Sequence, residues 1–176
     1  MIKLSIITLT AMSLAGAIAQ AQTSGAAAPT DPQIAMIAVT ADSVDIDASK
    51  LAAKKTSNPK VKKFAQLMVT DHTSVNKKAM ALVKKLNVTP EESDTSRSLK
   101  SDGDKNLEKL RGLSGADFDK AYIDNEVTYH EAVIKAVTET LIPNAKNAEL
   151  KKLLESAGPV FASHLKHAKE VQASLK

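Results

Sequence analysis

The chain has 176 residues, of which 43% are hydrophobic, 25% charged and 3% aromatic; its formal net charge is +4, and it contains no cysteine or tryptophan. Without cysteine it has no disulfides, thiolate metal ligands, covalent haem or thiol nucleophile. Lysines and acids are interspersed rather than blocked and aromatics are too few for base stacking, so no nucleic-acid partner is expected.

Met1-Ile2-Lys3 supplies one positive charge, the stretch from Leu4 to Ile18 is uncharged and apolar, and two overlapping small-x-small sites end at Ala21. These are the parts of a secretory signal peptide. The apolar run falls short of the roughly 20 residues that span a bilayer. The expectation is a signal over 1–21 cleaved after Ala21, and a mature protein in the periplasm or outside the cell with no transmembrane segment. Losing Lys3 leaves 23 basic residues against 20 acidic ones.

Residues 22–31 read as a flexible mature N-terminus, and 32–174 as one domain. Asp31-Pro32 signals a helix start, with Asp as cap and Pro in the first turn. Ile34, Ile37, Ala41, Val44, Ala48 and Leu51 then step by three and four, a bundle seam. Asn58-Pro59 opens a second helix with the seam Val61, Ala65, Met68, His72, Val75, Ala79, Leu82, Leu86. The segment 87–104 is polar and reads as a long connection, with a short helix at Leu107, Leu110 and Leu113 stopped near Gly112. Ser114 caps a third long helix with the seam Ile123, Val127, His130, Ile134, Val137, Leu141, broken at Pro143-Asn144. The last helix carries Leu150, Leu153, Ala157, Val160, His164 and Val171, and Pro159 is expected to kink it. Nothing reads as strand. Two helical hairpins joined by a long crossover that contains a short extra helix make an all-α, ferritin-like four-helix bundle.

His72, His130 and His164 each fall on the apolar seam of a different long helix, where a polar side chain needs a partner. Their depths can be compared, because residues level with each other in an antiparallel hairpin average to the turn position. Asp45 and His72 average to 58.5, at Asn58-Pro59; His130 and His164 average to 147, about three residues past Pro143-Asn144. The mismatch is roughly 5 Å, so all four belong to one layer. Imidazoles with a carboxylate suit one divalent transition metal, zinc, copper or iron, with Asp71 and Glu126 as outer hydrogen-bond acceptors orienting the rings. The competing reading is a buried polar cluster in which Asp45, Tyr122 or Tyr129 satisfies the histidines and fixes helix register without metal. A di-iron oxidase centre is disfavoured, since no helix carries Glu-x-x-His. No Gly-x-Ser-x-Gly elbow is present, and with no general base to name, an enzyme is the least supported reading.

The segments Asp45-Ile46-Asp47-Ala48-Ser49-Lys50-Leu51-Ala52, Val61-Lys62-Lys63-Phe64-Ala65 and Met68-Val69-Thr70-Asp71-His72 are similar to an exported bacterial family, domain of unknown function 4142. Phe118-Asp119-Lys120-Ala121-Tyr122-Ile123, Val127, His130, Pro159 and His164-Leu165 extend the resemblance over about residues 32–172. It implies a ferritin-like bundle in the periplasm or at the outer membrane, and no established activity. His72, His130 and His164 match the family's histidines, whereas His167 lies outside its pattern. The family usually has Glu at the position of Asp45 and Gly at that of Ser49. The function expected is an exported bundle holding one divalent metal ion on His72, His130, His164 and Asp45; the alternative is a structural or protein-interaction module with no metal.

Overall fold

The computed structural model describes residues 27–175, so the signal segment and its cleavage site lie outside the described residues. Five helices account for most of the chain: α1 (Asp31–Lys55), α2 (Pro59–Lys85), α3 (Asp94–Gly112), α4 (Gly115–Ala136) and α5 (Ala148–Ala173). The described residues contain no strand, and none of their helices is long and apolar enough to cross a membrane. α1 packs on α2 and α3, α4 on α5, and α2 on α5.

Capping chemistry sets the helix starts. Thr30, rather than Asp31, caps α1, in a reciprocal box with Gln33. That frees the Asp31 carboxylate to accept from the backbone amides of Lys146 and Asn147, at 2.8 and 2.9 Å, which ties the start of α1 to the loop before α5. Asn58 and Asn147 cap α2 and α5. Ser114 sits at the start of α4 but makes no side-chain cap bond.

The crossover is more helical than expected. α3 has 19 residues, opened by a Ser93–Ser96 capping box, where only its last turns were anticipated. Its inner stripe is Ser96, Leu99, Gly103, Leu107 and Leu110, too poor in apolar residues to stand out in a polar sequence. Contact with α1 makes up the deficit: a Cβ on Gly103 would lie 2.7 Å from Cγ2 of Val44, so the two backbones approach where glycine allows it.

That contact also corrects the seam of α1. Ala41, Val44 and Leu51 are only partly buried. Ile34, Ile37 and Ala48 of that seam are buried, and the interior face extends one residue further round to Ala35, Asp42, Asp45, Ser49 and Ala52. Val44 is turned toward α3 instead. In α5 the buried seam runs through Leu154 and Phe161 rather than Leu153 and Val160. The helix continues through Pro159, which faces solvent. α4 is prolonged by a π-helical turn, Val137–Leu141, and one α turn, Ile142–Asn144, before the chain turns into α5. Pro143 has no amide to give to a normal α-helical ladder, and the wider turn upstream accommodates it. The prolonged helix puts the turn at 145–147, so His130 and His164 are level and the expected 5 Å mismatch disappears.

Candidate metal centre

His72 on α2, His130 on α4 and His164 on α5 point into one layer, each no more than 3% exposed. Their ring centroids are 5.2 to 5.6 Å apart, a nearly equilateral triangle. One ligand nitrogen of each lies within 4.8 Å of the other two.

The outer nitrogen of every ring is held. His72 Nδ1 bonds to Asp42 Oδ1 at 2.8 Å, His130 Nδ1 donates to the Glu126 carbonyl oxygen at 2.9 Å, and His164 Nε2 bonds to Asp71 Oδ2 at 2.9 Å. The inner nitrogens, His72 Nε2, His130 Nε2 and His164 Nδ1, have no hydrogen-bond partner. When the outer nitrogen carries the proton, the inner one presents a lone pair. Three lone pairs converging on a buried point, each from a ring anchored behind, is the arrangement that binds a transition metal. A tetrahedral ion with bonds near 2.0–2.1 Å separates its nitrogens by about 3.3–3.4 Å, so a small inward closure completes it.

Asp45 stands beside this triangle with Oδ2 3.4 Å from His72 Nε2 and 3.8 Å from His130 Nε2, and Oδ2 is itself without a hydrogen-bond partner. Its other oxygen accepts from the Ser49 hydroxyl at 3.0 Å, and Ser49 bonds in turn to the Tyr122 hydroxyl at 2.8 Å. Tyr122 therefore acts on Asp45 through Ser49 and does not reach a histidine by hydrogen bond.

Of the two carboxylates expected to orient the rings, Asp71 bonds to His164, and Glu126 lies beside His130, where its backbone carbonyl does the anchoring while the carboxylate lies 3.7 Å away. Sequence reasoning missed Asp42 and Phe161. Asp42 is three residues from Asp45, and a seam read one residue later would have found both. Phe161 stacks on His72 with centroids 5.4 Å apart and 8° between the planes. Tyr129 donates to the Ala41 carbonyl at 2.9 Å rather than to a histidine. His167 lies outside the layer, edge-on to Phe64.

Burial lowers the pKa of His130 and His164, against the opposing pull of Asp45 and Asp71, so both are poised neutral. Burial acts the same way on His72, but the Asp42 hydrogen bond and the charges of Asp45 and Asp71 outweigh it, and its pKa is raised. Asp42 is pushed up by burial and pulled back by His72. Glu126 is pushed well above the carboxylate range by burial and then by Asp45. The Tyr122 and Tyr129 phenols are also raised, chiefly by burial, so both stay protonated donors.

A sequence model of a domain of unknown function, DUF4142, matches residues 16–171. The chain belongs to the DUF4142 family. Two solved structures share the fold of this DUF4142 chain. One is a secreted DUF305 protein from Streptomyces coelicolor, with 13% identity, a TM-score of 0.69 and coverage of 81% of this chain and 91% of that one. The other is CopM in its Cu(II)-bound form, with 16% identity, a TM-score of 0.64 and coverage of 85% of this chain and 99% of that one. No curated protein matches the DUF4142 chain in sequence.

Proposed function

We propose that this protein is an exported helical bundle that binds one divalent transition metal, zinc, copper or iron, through His72, His130 and His164 with Asp45 alongside. The convergence of three partnerless imidazole nitrogens, each ring fixed from behind by a different acceptor, carries this reading. Leaving three such atoms buried and unbonded costs about 1–3 kcal/mol each, and a cation removes that cost. The ligand set is nitrogen-rich with one carboxylate, which suits zinc, copper or iron better than magnesium or calcium. The Cu(II) held by CopM gives copper first place among the ions to test. Export through residues 1–21 to the periplasm, or beyond it to the outer membrane or the medium, is part of the same proposal.

The second reading is a metal-free cluster in which His72 sits as a buried cation between Asp42 and Asp45 and fixes helix register. The 2.8 Å contact between His72 and Asp42 supports it. Elemental analysis of protein purified from the periplasm separates the two. About one metal ion per chain is expected, lost in His130→Ala, with circular dichroism showing that the helices persist. Metal-free wild type, with His130→Ala merely less stable, establishes the second reading and removes the first.

A further inference from the structure

The three-histidine position leaves one group unexplained. Glu126 is fully buried on α4, and neither of its carboxylate oxygens has a hydrogen-bond partner. No lysine or arginine pairs with it; its ionisable neighbours are His130 and Asp45. It lies outside the triangle of His72, His130 and His164, so an ion held there does not require it. Burial and the neighbouring Asp45 hold the free carboxyl neutral, so a cation bound there must take the place of its proton.

Asp45 and His130 are beside it. One ligand atom from each of Asp45, Glu126 and His130 lies within 4.8 Å of the other two. Two of the remaining partnerless buried atoms, Asp45 Oδ2 and His130 Nε2, belong to this set. The layer thus contains two overlapping donor sets. One is three nitrogens; the other is two carboxylates and a nitrogen.

We propose that Asp45, Glu126 and His130 form a second cation position that takes a harder divalent ion of the Mn²⁺ class, in competition with the three-histidine position. The proposal rests on the metal-binding reading of this layer. Oxygen-rich sets favour manganese over the softer ions, and nitrogen-rich sets favour zinc and copper. The competition follows from His130: its Nδ1 donates to the Glu126 carbonyl, which leaves Nε2 as the single lone pair available to either ion. One ion is bound at a time, and its chemical type decides where it sits.

The test uses Mn²⁺ and Zn²⁺ on the metal-free full-length mature chain, with bound Mn²⁺ read by electron paramagnetic resonance and Zn²⁺ by calorimetry. Glu126→Gln is expected to weaken Mn²⁺ by about tenfold or more while Zn²⁺ stays within about threefold. His164→Gln should do the reverse. Zn²⁺ should displace Mn²⁺ from the wild type, because the zinc-bound triangle withdraws His130. Retained Zn²⁺ binding in Glu126→Gln also shows that this variant folds. Unchanged Mn²⁺ affinity in Glu126→Gln, or wild type that binds Zn²⁺ but no Mn²⁺, overturns the second position and leaves the three-histidine reading standing. Two ions bound together overturn the competition. Wild type that binds neither ion overturns the second position, while the three-histidine reading is decided by the metal content of the purified protein.

Discussion

The histidine layer divides the bundle into two unlike halves. On the side of the α1–α2 turn, Val61, Phe64, Ala65, Met68, Tyr122, Ile123 and Ala168 are completely buried, and Phe64, Phe118 and Tyr122 pack ring against ring. On the other side the core is aliphatic. Ile37, Val137, Leu141, Leu150, Leu154 and Phe161 all keep 4–6% of their surface exposed, and a cavity of about 1010 Å³ runs among them. α1 contributes Ile34 and Ile37 there beside the small Ala35 and Ala38, α4 widens into its π turn, and Phe161 and Tyr129 are the aromatics along the cavity. The closed half joins all four long helices below the site, through Ala52, Phe64, Tyr122 and Ala168 among others, while the cavity of the open half comes up to the layer at Asp42 and Phe161.

The largest test of this contrast is a pair of truncations. Phe64→Ala empties a fully packed site and should cost about 3–5 kcal/mol, whereas Leu154→Ala, beside existing free volume, should fall near the lower end of the 2–5 kcal/mol range for large-to-small core changes. Urea denaturation of the two variants measures the difference. Equal losses would mean that the cavity has no energetic counterpart and the halves are packed alike.

Helix content and the placing of the histidines were legible in the sequence because four long seams repeat at helical spacing, and the proline-marked turns fixed the depth of His72 against Asp45. α3 was largely illegible: only three leucines mark its inner stripe, and its fit to α1 depends on Gly103, whose use shows only once Val44 is seen against it. The seam of α1 was misread for a related reason. Its apolar residues serve two neighbours, and the interior face extends onto alanine, serine and aspartate, so the stronger apolar signal points partly at α3. Asp42 was lost with that one-residue offset. Phe161 was lost because Leu153 and Val160 satisfy the same three-and-four spacing between Leu150 and His164 as Leu154 and Phe161 do. Glu126 was found as a neighbour of His130, but its unbonded carboxylate is a fact of packing that no spacing rule reveals.

A second test sharpens the role of α3. In Gly103→Ala the new methyl meets both Val44 methyls at under 3.0 Å, and α3 must move off α1, at a cost of about 1–3 kcal/mol. Gly158→Ala is the matched control in the open half, since a Cβ there meets nothing within 4 Å. Removing a glycine from a helix interior should stabilise by about 0.5–1 kcal/mol. Thermal melts of both variants check the opposite signs; stabilisation by Gly103→Ala would show that the α1–α3 contact yields freely.

The smallest effect concerns the two aspartates of α1, which stand on opposite sides of the divide: Asp42 lines the cavity, and Asp45 is tied to the closed half through Ser49 and Tyr122. Metal must displace the proton from His72 Nε2, and Asp42 helps hold that proton by raising the His72 pKa above its usual 6.5. His130 and His164, with lowered pKa values, pose no such barrier at neutral pH. Apparent affinity should therefore keep rising as pH climbs past 6.5 and level off above the elevated His72 value. Asp42→Asn keeps an oxygen for Nδ1–H but removes the charge, so the rise should move to lower pH. The same raised pKa has the opposite sign for folding of the metal-free protein: the His72–Asp42 pair adds stability below the unfolded histidine pKa and loses it as pH rises through the folded value. Asp42→Asn should flatten that fall. Zinc titrations and urea melts across pH 5.5–8 read the two trends, and a variant whose binding midpoint does not move would show that Asp42 orients His72 without setting its charge.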